Sequence, residues 1–202
     1  MSSSESLNLS PVLSEGILDY NERNIYVRYL ITELCERYLV KRATLAHVIG
    51  ISPSNMFNFL SAQRNFSSQR LSSVEYTLID LYSDSPLKSL TDNLEPLTNE
   101  NVFSLKERNE YFFEHIKNLQ DNYLISRPDL ARYVGESAHV FSNFMNHNRR
   151  FGNDKLNIIG DALLQLYEEP LLPNLVPEDE PLNEFIDYII NQKVVKAKYV
   201  KL

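Results

Sequence analysis

Leu45 to Phe66 reads LAHVIGISPSNMFNFLSAQRNF, and 85 residues further on Leu130 to Phe151 reads LARYVGESAHVFSNFMNHNRRF. Each stretch holds a short helical segment, a glycine, and a second helical segment with a single apolar stripe. Similar stretches at a fixed spacing mark a duplicated unit. The match runs past both ends: Glu22/Glu107, Arg23/Arg108, Asn24/Asn109, Tyr26/Tyr111, Tyr38/Tyr123 and Arg42/Arg127 come before, and Leu71/Leu156 and Tyr82/Tyr167 after. Glu95-Pro96-Leu97 returns as Glu180-Pro181-Leu182, and no gap is needed anywhere at the shift of 85. Chance does not produce this register, so the sequence predicts two similar domains.

Both copies read as helical bundles. The first helix, near Asn24 to Tyr38, puts Ile31, Leu34, Cys35 and Tyr38 on one face. The second starts near Ala43, or near Arg127 in the other copy, where Ser126 and Asp129 suggest a capping box with Pro128 in the first turn. It stops at Gly50 or Gly135, since glycine accepts the left-handed conformation that ends a helix. Ser52 as N-cap and Pro53 as first helical residue open the third helix, whose stripe is Met56, Phe59 and Leu60, matched by Phe141, Phe144 and Met145. A longer fourth helix carries Leu71, Val74, Leu78, Leu81 and Tyr82, and Pro86 and Pro170 mark its end. The boundaries read as a flexible tail over 1–20, a first domain over 21–98, a second over 99–182 and a helical extension over 183–202, with a polar, acidic linker near Thr91 to Ser104.

A lone cysteine, Cys35, forbids an intrachain disulfide, and its apolar helical face fits a small hydrophobe in a reducing, cytoplasmic setting. The sequence shows no apolar run long enough for a membrane span and no signal peptide, so no membrane partner is expected. The net charge is −7, yet Lys41, Arg42, Arg64 and Arg70 lie in a stretch, Lys41 to Val74, without a single acid. The acids gather after it, as Glu75, Asp80, Asp84, Asp92, Glu95 and Glu100 against Lys88. The field near a contact surface governs encounter, so an acidic protein with one basic face can still meet nucleic acid.

The order Leu45-Ala46, Gly50-Ile51-Ser52, Met56, Phe59 and Arg64-Asn65 resembles the phage repressor and Cro (Xre) type of helix-turn-helix. Leu130-Ala131, Gly135, Ser137, Phe141, Phe144 and Arg149 fit the same pattern. The resemblance spans most of the chain. It implies an all-α fold of two tandem repressor-like helical bundles, each with a helix-turn-helix, plus the C-terminal extension. Three departures are visible: Leu60 and Met145 stand where the family has an acidic residue, Ala62 and His147 replace its later glycine, and Glu136 adds a negative charge beside the second turn.

With the stripe turned inward, the third helix faces out through Ser54, Asn55, Phe57, Asn58 and Ser61. Asparagine can make a paired contact with adenine worth about 1–3 kcal/mol of discrimination. The expected double-stranded DNA contacts are therefore Ser52, Ser54, Asn55 and Asn58 in the first copy, and His139, Asn143 and Asn146 in the second. Arg64, Arg70, Arg149, Arg150 and Lys155 are expected to position phosphates. Exposed Asn and Ser also simply solvate a helix, and Phe57 fits either a thymine methyl or an aromatic protein surface.

No catalytic constellation is visible. His47, His115, His139 and His147 lack metal-ligand spacing with Cys or carboxylates, and neither a phosphate-cradling glycine loop nor a nucleophile elbow occurs. The chain therefore reads as a non-enzyme without cofactor or metal. Its expected role is a transcriptional regulator, a repressor by resemblance; the rival is an adaptor, antitoxin or inhibitor that uses the same fold on a protein. In the extension, Phe185, Ile186 and Ile189 share one face, and the basic KVVKAKYVKL has enough β-branched residues for a strand. Local docking and a homodimer or partner contact both fit that terminus.

Overall fold

The structure is a computed structural model and describes residues 14–176 and 181–199, with side chains described as far as 191. It is all-helical, and no strand longer than a single bridge occurs among the described residues. The elements are α1 (Tyr20–Glu36), α2 (Arg42–Val48), α3 (Pro53–Leu60), α4 (Ser68–Tyr82), α5 (Leu105–Asn122), α6 (Arg127–Tyr133), α7 (Ala138–Met145), α8 (Asn153–Tyr167) and α9 (Leu182–Tyr199). Single 3-10 turns sit at Glu95–Leu97 and Pro173–Leu175. The bounds of α2, α3 and α4 reappear in α6, α7 and α8 displaced by the 85 residues of the sequence register (42 to 127, 53 to 138, 68 to 153).

Local chemistry explains the helix starts. Asp19 accepts from the amides of Asn21 and Glu22, and Glu22 reaches back to the amide of Asp19 at 2.7 Å. Ser104 and Glu107 repeat that reciprocal cap on α5, so the Glu22/Glu107 match reflects a pair of capping boxes, each worth about 1 kcal/mol. The box expected at Ser126 is absent. Ser126 is buried and makes no side-chain cap, its amide donating across to the carbonyl of Leu39 at 2.8 Å, while Asp129 pairs with Arg132.

Asn24 and Asn109 clamp the strand-like segment after the third helix of each set. The Oδ1 of Asn24 accepts from the Phe66 amide at 2.9 Å, and that of Asn109 from the Phe151 amide at 2.8 Å. Arg23 is buried and bonds Glu75 at 3.0 Å, with the Ser14 hydroxyl also donating to Glu75. Glu75 is thus an internal counter-ion and leaves the surface acids one fewer. Its counterpart in α8 is Gly160, where an added Cβ would lie 2.0 Å from the Leu97 carbonyl oxygen. Arg108 therefore donates to the carbonyls of Pro96 and Leu97 and to the side-chain Oδ1 atoms of Asn153 and Asn157 instead of to an acid.

Three boundaries differ from the sequence reading. Ser14 and Leu18 are buried, so the tail ends before them; residues 1–13 lie outside the described residues. The 3-10 turn Glu95–Leu97 packs on α5 and α8, with Pro96 and Leu97 buried, so it belongs to the second set and not to the first. Counterparts at the same shift, Pro11 for Pro96 and Glu15 for Glu100, carry the signal that would have placed it. The terminal basic stretch continues α9 as far as Tyr199 with no strand. The Phe185, Ile186 and Ile189 face is buried, and α9 packs on α1, so this face is used within the chain rather than on a partner.

The two sets meet around equivalent residues. Val40 and Ile125 form an antiparallel bridge; the Lys41 amide donates to Leu124 and the Ser126 amide to Leu39, both at 2.8 Å. The Tyr82 hydroxyl donates to the Tyr123 carbonyl at 3.3 Å, and the Tyr167 hydroxyl to the Tyr38 carbonyl at 3.1 Å. The Leu87 amide bonds Tyr167, and the Leu172 amide bonds Tyr82. Each bond has its reciprocal, which is the mark of an isologous, two-fold contact, here made inside one chain.

Candidate nucleic-acid interface

The turn between α2 and α3 is set by Gly50 at φ +73° and that between α6 and α7 by Gly135 at φ +70°, a region where a side chain is strained. Ser52 caps α3 through the Asn55 amide at 3.2 Å, and Ser137 caps α7 through the Val140 amide at 3.2 Å. Met56 and Phe59 in α3, and Phe141, Phe144 and Met145 in α7, go into the core. The helix phase read from the sequence therefore holds, and Phe57 is 57% exposed.

The outward face of α3 presents exposed Ser52, Ser54 and Phe57 with half-buried Asn55 and Asn58. Ser61 is exposed, but its hydroxyl donates back to the Phe57 carbonyl at 2.9 Å. On α7, His139 and Asn146 are exposed, and the half-buried Asn143 has its Nδ2 3.1 Å from His139 Nε2. This contact couples the two side chains across one turn. Arg64, Arg149 and Arg150 are exposed beyond the helix ends.

Arg28 holds that region of the first set. It is buried, donates to the Phe59 carbonyl at 2.6 Å and to Arg64 at 3.3 Å, and stacks over the Phe59 ring at 4.8 Å. It also bonds the Asn65 side chain.

Arg70 and Lys155 are placed differently from the other cations. Arg70 donates to the Ile49 carbonyl at 3.3 Å and Lys155 approaches the Val134 carbonyl at 3.5 Å, so both serve the end of the preceding short helix. Lys155 is further paired with Glu136 at 2.8 Å, which cancels its charge at the second turn. Among the described residues Arg70 makes no such ion pair.

The sequence reading missed a groove between the sets. Its volume is about 480 Å³, and its lining includes Lys41, Thr44, Arg127, Ala138 and Ser142, with Asp121 the acid among its lining residues. Arg127 is steadied by donating to Gln120 Oε1 at 3.1 Å. Ala138 and Ser142 lie on α7, so this helix and α2 of the other set border one opening. The pairing of the 39–41 and 124–126 segments creates it, and pairing between distant segments leaves no local trace in a sequence.

Among the described residues no group of three or more His, Cys, Asp or Glu could hold a metal ion, and no helix is long and apolar enough to cross a membrane. No family model, curated protein or solved structure matches the chain.

Proposed function

We propose that the chain is a sequence-specific double-stranded DNA-binding transcriptional regulator, using α3 and α7 as two recognition helices of tandem helix-turn-helix bundles. The observation that supports this reading is the reciprocal bonding around Val40 and Ile125, in which equivalent residues of the two helix sets that carry α3 and α7 exchange bonds. The repressor and Cro resemblance of both stretches supports it from the sequence side.

In this reading Asn55 and Asn58 meet base edges from α3, and the coupled His139–Asn143 pair does so from α7. Arg64, Arg149 and Arg150 position phosphates, joined by Lys41 and Arg127 from the groove. The helices differ in their outward residues, so the two half-sites differ too. Selection of duplexes from a random pool, followed by salt titration of the winners, tests the reading. The expected result is one asymmetric site whose log affinity falls with log salt at a slope of about −0.9 for each phosphate engaged. A selection that retains no duplex at low salt overturns it.

One observation favours a second reading, a protein-binding adaptor on the same fold: Phe57, mid-helix on the outward face of α3, is 57% exposed. If that reading holds, Phe57→Ser, the residue at the matching position of α7, leaves duplex binding absent and abolishes binding of a protein partner.

A further inference from the structure

The relation that carries α1 onto α5 should give them similar outer faces, and it does not. On α1 the face is filled. Phe185 of α9 meets Tyr29 edge-on, ring centroids 5.3 Å apart and planes at 82°. Leu18, Tyr26, Leu175 and Ile186 are all buried there or beside it. The counterpart on α5 is open. Leu90, which matches Leu175, is 46% exposed against 3%. Phe103 and Tyr111, matching Leu18 and Tyr26, are only half-buried. They line a shallow groove of about 650 Å³, together with His115. The chain has one α9, and α1 holds it.

Two further features distinguish this groove. His115 is 2% exposed; its Nδ1 donates to the Tyr111 carbonyl at 2.9 Å, which leaves Nε2 an acceptor, buried and without a partner among the described residues. An unmet buried acceptor is destabilising, and a donor arriving from outside would relieve it. The rim is acidic: Glu107, Glu110 and Glu114 stand against Lys106. Where α1 has the apolar Ile25 and Tyr29, α5 has Glu110 and Glu114.

We propose that the α5 groove is a docking seat for an amphipathic helix of a partner protein, apolar on one face and flanked by Lys or Arg, one of whose donors reaches His115 Nε2. The covered face of α1 shows that a helix fits this geometry, and the carboxylates select a basic one. The seat does not depend on the DNA reading.

The probe is a fluorescent peptide of residues 181–199 carrying Glu184→Lys and Asp187→Lys, titrated into the full chain. The expected result is saturable binding, about tenfold or more weaker after Leu90→Asp or after Glu110→Lys with Glu114→Lys. Those side chains are exposed, so the substitutions spare the fold. The ¹⁵N resonance of His115 Nε2 should shift on binding. Absence of saturable binding overturns the proposal. So does binding that ignores Leu90→Asp, or that is lost on Tyr29→Ala alone, since the peptide would then be exchanging with α9 on α1. Equal affinity for the unmodified peptide overturns the basic character assigned to the partner.

Discussion

Ala62 and His147 hold φ of 59° and 58° at the same step beyond α3 and α7, and Leu39 and Leu124 hold 60° before α2 and α6. A side chain in the left-handed region costs about 1–2 kcal/mol, and glycine does not bear that cost. Ala62 is exposed, so nothing is lost by trimming it. Ala62→Gly should therefore stabilise by about 0.5–1 kcal/mol and raise the melting temperature by about 1–4 °C, read by calorimetry. A fall in the melting temperature would show that the conformation carries no strain.

His115 makes the second residue-scale case. Burial pushes its pKa below the ordinary 6.5, although the Tyr111 carbonyl works in the opposite direction. The unfolded chain takes up a proton near 6.5 that the folded chain refuses, so this contribution is intact above that value and is lost as pH falls. Exposed carboxylates such as Glu107, held low by Ser104, lose stability in the same direction. The test is thus a difference: between about pH 7 and pH 5, wild type should lose more denaturant resistance than His115→Leu, which installs the residue found at Leu30. Parallel losses would remove His115 from the account.

At the scale of elements, the proposed DNA reading makes α7 the weaker partner for a phosphate backbone, with Glu136 the reason. It takes Lys155 out of play at 2.8 Å, while Arg70 at the matching place makes no ion pair among the described residues. Glu136→Gln should raise duplex affinity and steepen the salt dependence by about one unit of slope, seen by anisotropy across a salt series. Its stability cost should stay within about 1 kcal/mol, because both partners are partly solvated. An unchanged slope would mean that the turn after α6 does not approach phosphate.

These helices were legible because their signals are local: Ser52-Pro53, the glycines at 50 and 135, and the stripe of Met56 and Phe59 act within one turn or two. The linker was misread for the opposite reason. Pro96 and Leu97 look like part of an acidic connection, and only packing against α5 and α8 makes them core. Lys155 looked free because its partner Glu136 lies 19 positions earlier (155 less 136) and meets it across a turn.

For the whole molecule, the arrangement of α3 against α7 rests on bonds that repeat themselves across one axis. A chain with two recognition helices on a loose tether would tolerate any separation of half-sites, each helix finding its groove independently. Here the connection is not loose: the Val40–Ile125 bridge, the two tyrosine hydroxyl bonds and the paired Leu87 and Leu172 amides fix one helix set on the other. Tyr82 and Tyr167 are fully buried at that contact, so separating the two helix sets would expose both. The pair should read DNA as a rigid caliper. Inserting about five base pairs between selected half-sites turns the second groove to the far side of the duplex, and about ten restore its direction but not its distance. Both insertions should cut affinity to that of a single half-site, measured by gel shift on otherwise identical duplexes. Retained affinity with the half-turn insertion would show the two helix sets turning freely in solution. The reciprocal contact would then not set the register of binding.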